Sequence, residues 1–596
     1  MGFDYALVHL KYTIPVAVAL TFVYRPLLTR LDVYKILFLA TIAVLSTIPW
    51  DSHLIRTRIW SYPPEAIVGP TLFAIPAEEI FFFVVQTYNT TLLYLLFSKP
   101  TFHPIHLRSE GPSTDVRRTP GSLWRYYKWA GQLVLSLSIA SGVSLIGRGG
   151  VGVYMGLIVV WACPFLLLLW YALAYQFIIG LPKSNTLLPI FAPTLYLWIV
   201  DTLALKRGTW VIESGTKLGI HLWPHLEIEE AVFFLLTNTL IVFGLVAFDN
   251  ALAILDTFPH LFPELPAMPS PLLLVKALLT PASKYDEERI AGLTDAVARL
   301  RKKSRSFYLA SGTFEGRLRI DMIVLYSFCR VADDLIDEGT VASSRQWINR
   351  LRTFLDRSYN YSEKSHSVRS YVVANFPPWA RTAPLQLPTN YLPKQPLYDL
   401  LKGFEMDLIF SENPSGPTPA YFPIVNANVL DFYGACVAGT VAELCLELVF
   451  HHIPGPIAPA TRRRLVDAGA KMGIALQYVN IARDIAVDAA IKRVYIPTSW
   501  LEQEDLTPEA VIKKPEGERI ERLRQKLLDR AFSLYGEARG AIEELPVEAR
   551  APMRVAVESY MEIGRVLRQK GYQVKAGRAT VPKLRRVLVA WRALSR

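Results

Sequence analysis

The chain opens on long apolar runs separated by short polar breaks and closes on shorter amphipathic stretches rich in charge. Runs of about 17–25 apolar residues are long enough to cross a hydrocarbon core as helices. Seven are predicted, at roughly 3–23, 33–50, 78–97, 129–147, 153–180, 187–205 and 228–248. From about residue 285 onward, apolar positions recur with the helical period and show no strand-like alternation, which predicts an all-α bundle. Five prolines, at 259, 263, 266, 269 and 271, mark a linker over 251–284. A second proline-rich stretch, Pro377 to Pro396, reads as a surface insertion. The expected class is all-α throughout, with a seven-span transmembrane domain over 1–250 and a soluble helical domain over 285–596.

The membrane half repeats itself. Asp51, Arg58 and Trp60 precede Pro76-Ala77-Glu78-Glu79-Ile80-Phe81-Phe82, and Asp201, Arg207 and Trp210 precede Ile228-Glu229-Glu230-Ala231-Val232-Phe233-Phe234. Both Asp-to-Trp intervals are nine residues, and the offset of about 150 maps spans one to three (about 1–100) onto spans five to seven (about 151–250). Each Glu-Glu pair stands where an apolar helix begins. A carboxylate at the bilayer centre costs roughly 2.5–3.5 kcal/mol, whereas acids in a wet first helical turn cost little. Recurrence in both copies, each time ahead of Phe-Phe, points to a functional site. Neighbours on a helix point about 100° apart, so only one Glu of each pair is expected to face the bundle interior.

The net charge of +12 does not indicate nucleic acid, because the basic residues lie beside membrane segments and acidic motifs rather than in one stripe. Arg25, Arg30 and Lys35 in one loop, and Lys99, Arg108, Arg117, Arg118, Arg125 and Lys128 in another, fall on the same side of the path. The positive-inside rule makes that side cytosolic, with the N-terminus outside and everything after 250 in the cytosol. Asp4 stands where a signal peptide would carry basic residues, so no cleaved leader is expected. Cys163, Cys329, Cys436 and Cys445 have neither zinc-ligand nor disulfide spacing and are expected to be buried thiols. Gly147-Arg148-Gly149-Gly150-Val151-Gly152 fits G-x-G-x-x-G but follows no strand, and it is read as a tight turn between spans. No flavin or nicotinamide site is recognised.

Two segments of the soluble half carry chemistry. Asp333 and Asp337 project from one helical face, and so do Asn480, Asp484 and Asp488. A lone D-x-x-x-D is usually a solvated face, but both of these have apolar flanks. Stacked carboxylates repel one another, and hard oxygen ligands of this kind suit magnesium holding substrate phosphates.

Lys303-Ser304-Arg305-Ser306-Phe307, Tyr326 to Arg330, the first acidic motif, Tyr433-Gly434-Ala435-Cys436-Val437-Ala438-Gly439-Thr440-Val441, the second acidic motif and Arg493-Val494-Tyr495-Ile496-Pro497 follow in the order found in phytoene and squalene synthases. Residues 285–590 resemble that family, and the whole chain, with its repeated Glu-Glu half in front, resembles the fungal bifunctional lycopene cyclase/phytoene synthase family. The resemblance implies an isoprenoid-synthase-like bundle. Asp333, Asp337, Asn480, Asp484 and Asp488 would hold magnesium, or manganese in its place, with Asp334 as a helper. Ser304, Arg305, Arg330, Arg483, Arg493 and Tyr495 would bind diphosphate, and Tyr326 would join the catalytic set. Two geranylgeranyl diphosphates would condense head to head, through the cyclopropyl intermediate prephytoene diphosphate, to phytoene. Gly403-Phe404-Glu405-Met406-Asp407-Leu408 departs from the family's usual run, and its acids are given no role beyond support.

For the membrane half the resemblance implies cyclisation of lycopene ends to gamma- or beta-carotene, without net redox change. Burial disfavours the charged form of a carboxyl group and keeps it protonated at neutral pH. Glu78, Glu79, Glu229 and Glu230 are the expected acids and bases. A separate phytoene desaturase is implied as a functional partner, and an endoplasmic reticulum or other internal membrane as the location. Two other readings stay open: a phytoene or squalene-type synthase with a non-catalytic membrane anchor, and a receptor or transporter fused to a transferase. Arg462-Arg463-Arg464 reads as a solvated helix face rather than a lipid contact.

Overall fold

The computed structural model describes residues 2–107, 121–337, 341–360, 365–410, 422–453, 455–569 and 581–596, and the chain divides into two compact units, Met1–Glu287 and Glu288–Arg596. Arg108, Arg117 and Arg118 of the second basic loop lie outside the described residues.

The first unit contains the apolar helices α1 (Asp4–Leu27), α2 (Arg30–Arg56), α3 (Ala77–Ser98), α4 (Gly121–Arg148), α5 (Val153–Leu169), α6 (Lys183–Arg207) and α7 (Ile228–Thr257). Several outrun their apolar stretches because polar residues finish them. At the start of α2, Thr29 accepts the Asp32 amide and Asp32 accepts the Thr29 amide, a reciprocal cap. Helix α7 continues past the predicted end at 248 and stops just ahead of Pro259, which disfavours helical backbone before it. The segment read as a linker is not wholly irregular. Pro271 opens a helix, Pro271–Leu278, at the one position where a missing N–H costs nothing, and Ser270 caps it. Gly149, Gly150 and Gly152, all at positive φ, make the predicted tight turn between α4 and α5.

The repeat is visible in the packing. In each copy the first and second helices pack on the third, α1 and α2 on α3 and α5 and α6 on α7, and α3 also packs against α6 and α7. The loops ahead of α3 and α7 contribute strands of two or three residues, which leave the all-α class intact. Trp60–Ser61 pairs antiparallel with Val211–Ile212 and joins the copies, while Thr71–Leu72 with Ile75–Pro76 and His221–Trp223 with Leu226–Glu227 form one hairpin in each. Arg58 (φ 53°) and Gly208 (φ 72°) take the left-handed turn seven residues after Asp51 and Asp201. The structural counterpart of Arg58 is therefore Gly208, not Arg207.

Polarity in this unit is inverted. Val18, Phe22, Leu37, Leu45, Leu133, Leu137 and Leu168 are exposed, while Asp51, Glu79, Glu229, Glu230, Asn238 and Asp249 are buried. An apolar exterior around a polar interior fits association with a membrane. Among the buried groups, the Lys35 ammonium lies 2.5 Å from Asp249, whose other oxygen accepts the Tyr94 hydroxyl at 2.7 Å. Asp249→Ala removes the carboxylate that the Lys35 ammonium and the Tyr94 hydroxyl share, and the expected loss of about 1–3 kcal/mol should appear as a lower Tm in thermal unfolding of the detergent-solubilised chain.

The second unit is a bundle built on helices Gly316–Asp337, Lys394–Ile409, Ala427–His452, Pro459–Ala490, Glu518–Ala538 and Val547–Leu567. Ala427–His452 is apolar enough to cross a membrane, but Leu444, Leu448 and Val449 are buried in the core of this unit, and it is a core helix. Its Ala435–Gly439 turn is π-wound, a local widening common at functional sites. A Cβ on Gly473 would come within 2.5 Å of the Ala438 carbonyl oxygen, so this glycine sets how closely Pro459–Ala490 approaches that turn. The stretch from Pro377 to Pro396 is not a surface insertion: Ala380, Ala383, Leu387 and Leu392 are buried in the core, and Tyr391 stacks on His451 with ring centroids 3.8 Å apart. All four cysteines are free thiols, Cys163 and Cys436 buried and Cys329 and Cys445 partly so. Arg462 pairs with Glu447 and Arg464 with Glu544 on the exposed face.

Candidate functional site

A cavity of about 780 Å³ opens in the second unit. Ser304, Arg305, Tyr326, Arg330, Asp333, Asn480, Arg483, Asp484, Asp488 and Tyr495 all line it, while Phe404, Val437, Met472 and Leu476 supply apolar wall. The two acidic motifs reach it from different helices, Gly316–Asp337 and Pro459–Ala490. Three predicted residues stand off the lining: Asp337 with Arg493 at 2.9 Å, and Asp334 with Arg330 at 2.7 Å and Lys303 at 3.1 Å.

The predicted metal ligands and predicted phosphate ligands are paired with one another in this structure. Arg330 also lies 2.8 Å from Asp333, and Arg483 makes a two-pronged contact with Asp484 at 2.5 and 2.8 Å. Asn480 accepts the Tyr560 hydroxyl and donates to Gln477 at 3.2 Å. Burial pushes the Asp333 carboxyl up to about 7, with Arg330 pulling against it and Asp337 and Asp407 adding to it. Asp488 is likewise pushed up to about 7, by burial and then by Asp484. Crowded carboxylates that disfavour one another's charge form a hard-oxygen donor set that fits a divalent cation. Among the described residues no three His, Cys, Asp or Glu side chains converge into a cage.

Sequence reasoning missed two residues of this cavity. Asp407, given only a supporting role, lines it and is buried, accepting the Tyr495 hydroxyl at 2.8 Å and the Tyr433 hydroxyl at 3.2 Å. Burial lifts its carboxyl to about 6, while Arg493 and the two phenols hold it down and Asp337 adds to the rise. Arg586 also lines the cavity. Burial, and then the nearby Arg305, hold its guanidinium below the usual arginine range. Neither arginine has a carboxylate partner among the described residues, so this wall presents uncompensated positive charge.

The first unit gathers a second set of groups. Glu78, Glu79, Glu229 and Glu230 occupy the first turns of α3 and α7 and are all buried. Within each pair the two acids do different work. Glu78 accepts the Val68 amide at 2.7 Å and Glu229 the Leu218 amide at 2.6 Å, so these two pin the preceding loops. Glu79 instead accepts the hydroxyls of Tyr5 and, at 2.7 Å, Tyr62, and Glu230 accepts the Tyr154 hydroxyl at 2.6 Å. Tyr5 and Tyr154 stand about 150 residues apart, as the copies do. A lone tyrosine in an apolar run gives no signal by itself, but superposing the copies would have found both.

Asp51 and Asp201, noticed only as markers of the repeat, are buried too. The Trp210 indole donates to Asp201 Oδ1 at 3.1 Å. Asp51 and the Trp60 indole, the same pair in the other copy, have no hydrogen-bond partner among the described residues. The copies interlock through their rings: Tyr5 of the first packs on Trp210 of the second at 5.0 Å, and Tyr154 of the second on Trp60 of the first at 6.3 Å.

The squalene/phytoene synthase family profile matches residues 300–585. The chain is 60% identical to the bifunctional lycopene cyclase/phytoene synthase of Gibberella fujikuroi, and 60% identical to that of Phaeosphaeria nodorum, covering all of both chains in each case. Its relative in Neurospora crassa is 50% identical over 99% of each chain. Among solved structures, a dehydrosqualene synthase in complex with ligand is 22% identical, covering 52% of this chain and 97% of that one, with a TM-score of 0.41. Full-length identity at this level, spanning the apolar repeats as well as the soluble bundle, means that the chain belongs to the bifunctional lycopene cyclase/phytoene synthase family.

Proposed function

We propose that the two activities of the family divide between the two units, with synthesis in the cavity of the second and ring closure at the buried carboxyls of the first. The observation that carries the synthase assignment is the convergence of both acidic motifs, Ser304, Arg305 and Tyr495 on one cavity with apolar walls. Two geranylgeranyl diphosphates are the substrates and phytoene the product. Asp333, Asp337, Asn480, Asp484 and Asp488, with Asp334 in support, would hold magnesium, or manganese in its place, which when bound would supply positive charge for the departing diphosphate. Ser304, Arg305, Arg330, Arg483, Arg493, Tyr495 and the newly found Arg586 meet the phosphate oxygens. Arginine binds phosphate strongly and in two-pronged fashion, so bound substrate would draw Arg330 and Arg483 from their aspartates, which would then be available to a cation. Asp407 holds the hydroxyls of Tyr433 and Tyr495 in place. Tyr326 faces the reacting chains, and the apolar wall keeps water from the allyl cation.

In the first unit, lycopene is the substrate. A buried carboxylic acid protonates a terminal double bond, the ring closes and a carboxylate takes a proton back, giving gamma- or beta-carotene with no redox change. Glu79 and Glu230 stand in the interior for that exchange, and Glu78 and Glu229 position the loops beside them. The product of synthesis must be desaturated before it can be cyclised, so a phytoene desaturase acts between the two units. The basic loops, read by the positive-inside rule, support a cytosolic location for the second unit, with an internal membrane such as the endoplasmic reticulum as the site of the first.

Chelation tests the division of labour. Treating the purified chain with EDTA should stop phytoene formation from geranylgeranyl diphosphate, and added magnesium should restore it, while cyclisation of lycopene in the same preparation continues. Phytoene formation that survives chelation would contradict the synthase assignment.

A further inference from the structure

A small cavity in the first unit is lined by Glu79 of α3 and Asp201 of α6, one from each copy, together with Trp60, Trp210, Phe82 and Phe234. At about 20 Å³ it is water-sized. Asp201 is 2% exposed, and its Oδ2 has no hydrogen-bond partner among the described residues. An isolated buried carboxyl oxygen is costly unless it carries or exchanges a proton. The Trp210 bond needs only Oδ1, so it does not account for a carboxyl at this position. Asp51, the counterpart of Asp201 in the first copy, is equally buried but does not line this cavity.

We propose that Asp201 is a second proton-transfer carboxyl of the ring-closing reaction, working with Glu79 across this cavity so that one closure draws on both copies of the repeat. The inference rests on the reading of the first unit as the cyclase. Asp201 carries the proton on Oδ2. It passes that proton to the terminal double bond of the polyene, and the electron pair of the next double bond forms the ring bond to the resulting cation. The cation left in the ring loses a proton to Glu79, which returns to its starting state when that proton passes back towards Asp201. One proton is added and one removed, so no oxidant or reductant enters. Glu79 suits the receiving role because Tyr5 and Tyr62 both donate to its Oε2, which leaves Oε1 to take the proton. The face of Trp60 offers the cation a stabilising surface. A six-carbon ring requires the cavity to widen, and Phe82 and Phe234 in its wall are the side chains that would have to move.

The test uses the full chain in lycopene-producing cells, with Asp201→Asn, Trp210→Phe and Glu79→Gln compared. Asparagine keeps an oxygen for the Trp210 indole but cannot exchange a proton, and phenylalanine removes that hydrogen bond while keeping the carboxyl. The expected result is a loss of cyclised product of at least about 100-fold for Asp201→Asn, with Trp210→Phe retaining most of it. Cyclisation by Asp201→Asn near the parent level would overturn the proposal, and so would an equal loss in both variants, which would make Asp201 a structural anchor for Trp210. Glu79→Gln separates the two readings. An inactive Glu79→Gln beside an active Asp201→Asn sinks this inference alone, whereas activity in both sinks the carboxyl mechanism as a whole.

Discussion

Asp333→Asn or Asp484→Asn is expected to lower phytoene formation by about 10²–10³-fold, while lycopene cyclisation in the same polypeptide stays within about twofold because sites in separate folding units that share no partners act independently. Each substitution removes one charged oxygen from a donor set shared by two helices; it leaves Arg330 with Asp334 alone in the first case and takes the paired carboxylate from Arg483 in the second. The leaving diphosphate then develops charge that the site no longer neutralises in full. The assay is conversion of geranylgeranyl diphosphate by purified variants, with lycopene cyclisation as the internal control. Comparable loss of both activities would mean that the aspartates hold up the chain rather than the chemistry.

The second large effect is expected inside a single Glu-Glu pair. Glu79→Gln should lower cyclisation by about 10²–10⁴-fold, because an amide cannot exchange the proton that the carboxyl exchanges. Glu78→Gln should cost less than about tenfold, since its amide oxygen can still accept the Val68 N–H that Glu78 accepts now. Pigment profiles of lycopene-producing cells carrying each variant read this contrast directly. Equal losses would show that the hydrogen-bond pattern does not separate the two acids, and the roles given to Glu79 and Glu230 would fall.

What the sequence disclosed follows from the kind of signal each residue leaves. The acidic motifs were legible because carboxylates at helical spacing on apolar flanks have no bland explanation, and the Glu-Glu pairs because they recur in both copies. Asp407 was given no more than a supporting role because it is one of three acids in an ordinary amphipathic helix, Lys394–Ile409, and only the structure shows Tyr433 and Tyr495 pointing at it. Arg586 sits in a basic run close to the chain end, far from every other motif, and only folding brings it beside Arg305. Prolines misled the reading of residues 377–396. They set the backbone there, but Leu387 and Leu392 carry the stretch into the core, and burial of such side chains outweighs the irregular path. Tyr5 and Tyr154 were legible in principle, through the same offset that revealed the carboxyls.

Pigment analysis of a bacterial host supplied with geranylgeranyl diphosphate, with the chain expressed alone and in a lycopene-accumulating strain, tests the central claim most directly. The account predicts phytoene in the first host and cyclic carotenes in the second. Phytoene with lycopene left untouched would reduce the first unit to an anchor, and no phytoene at all would contradict the claim that this chain is a synthase.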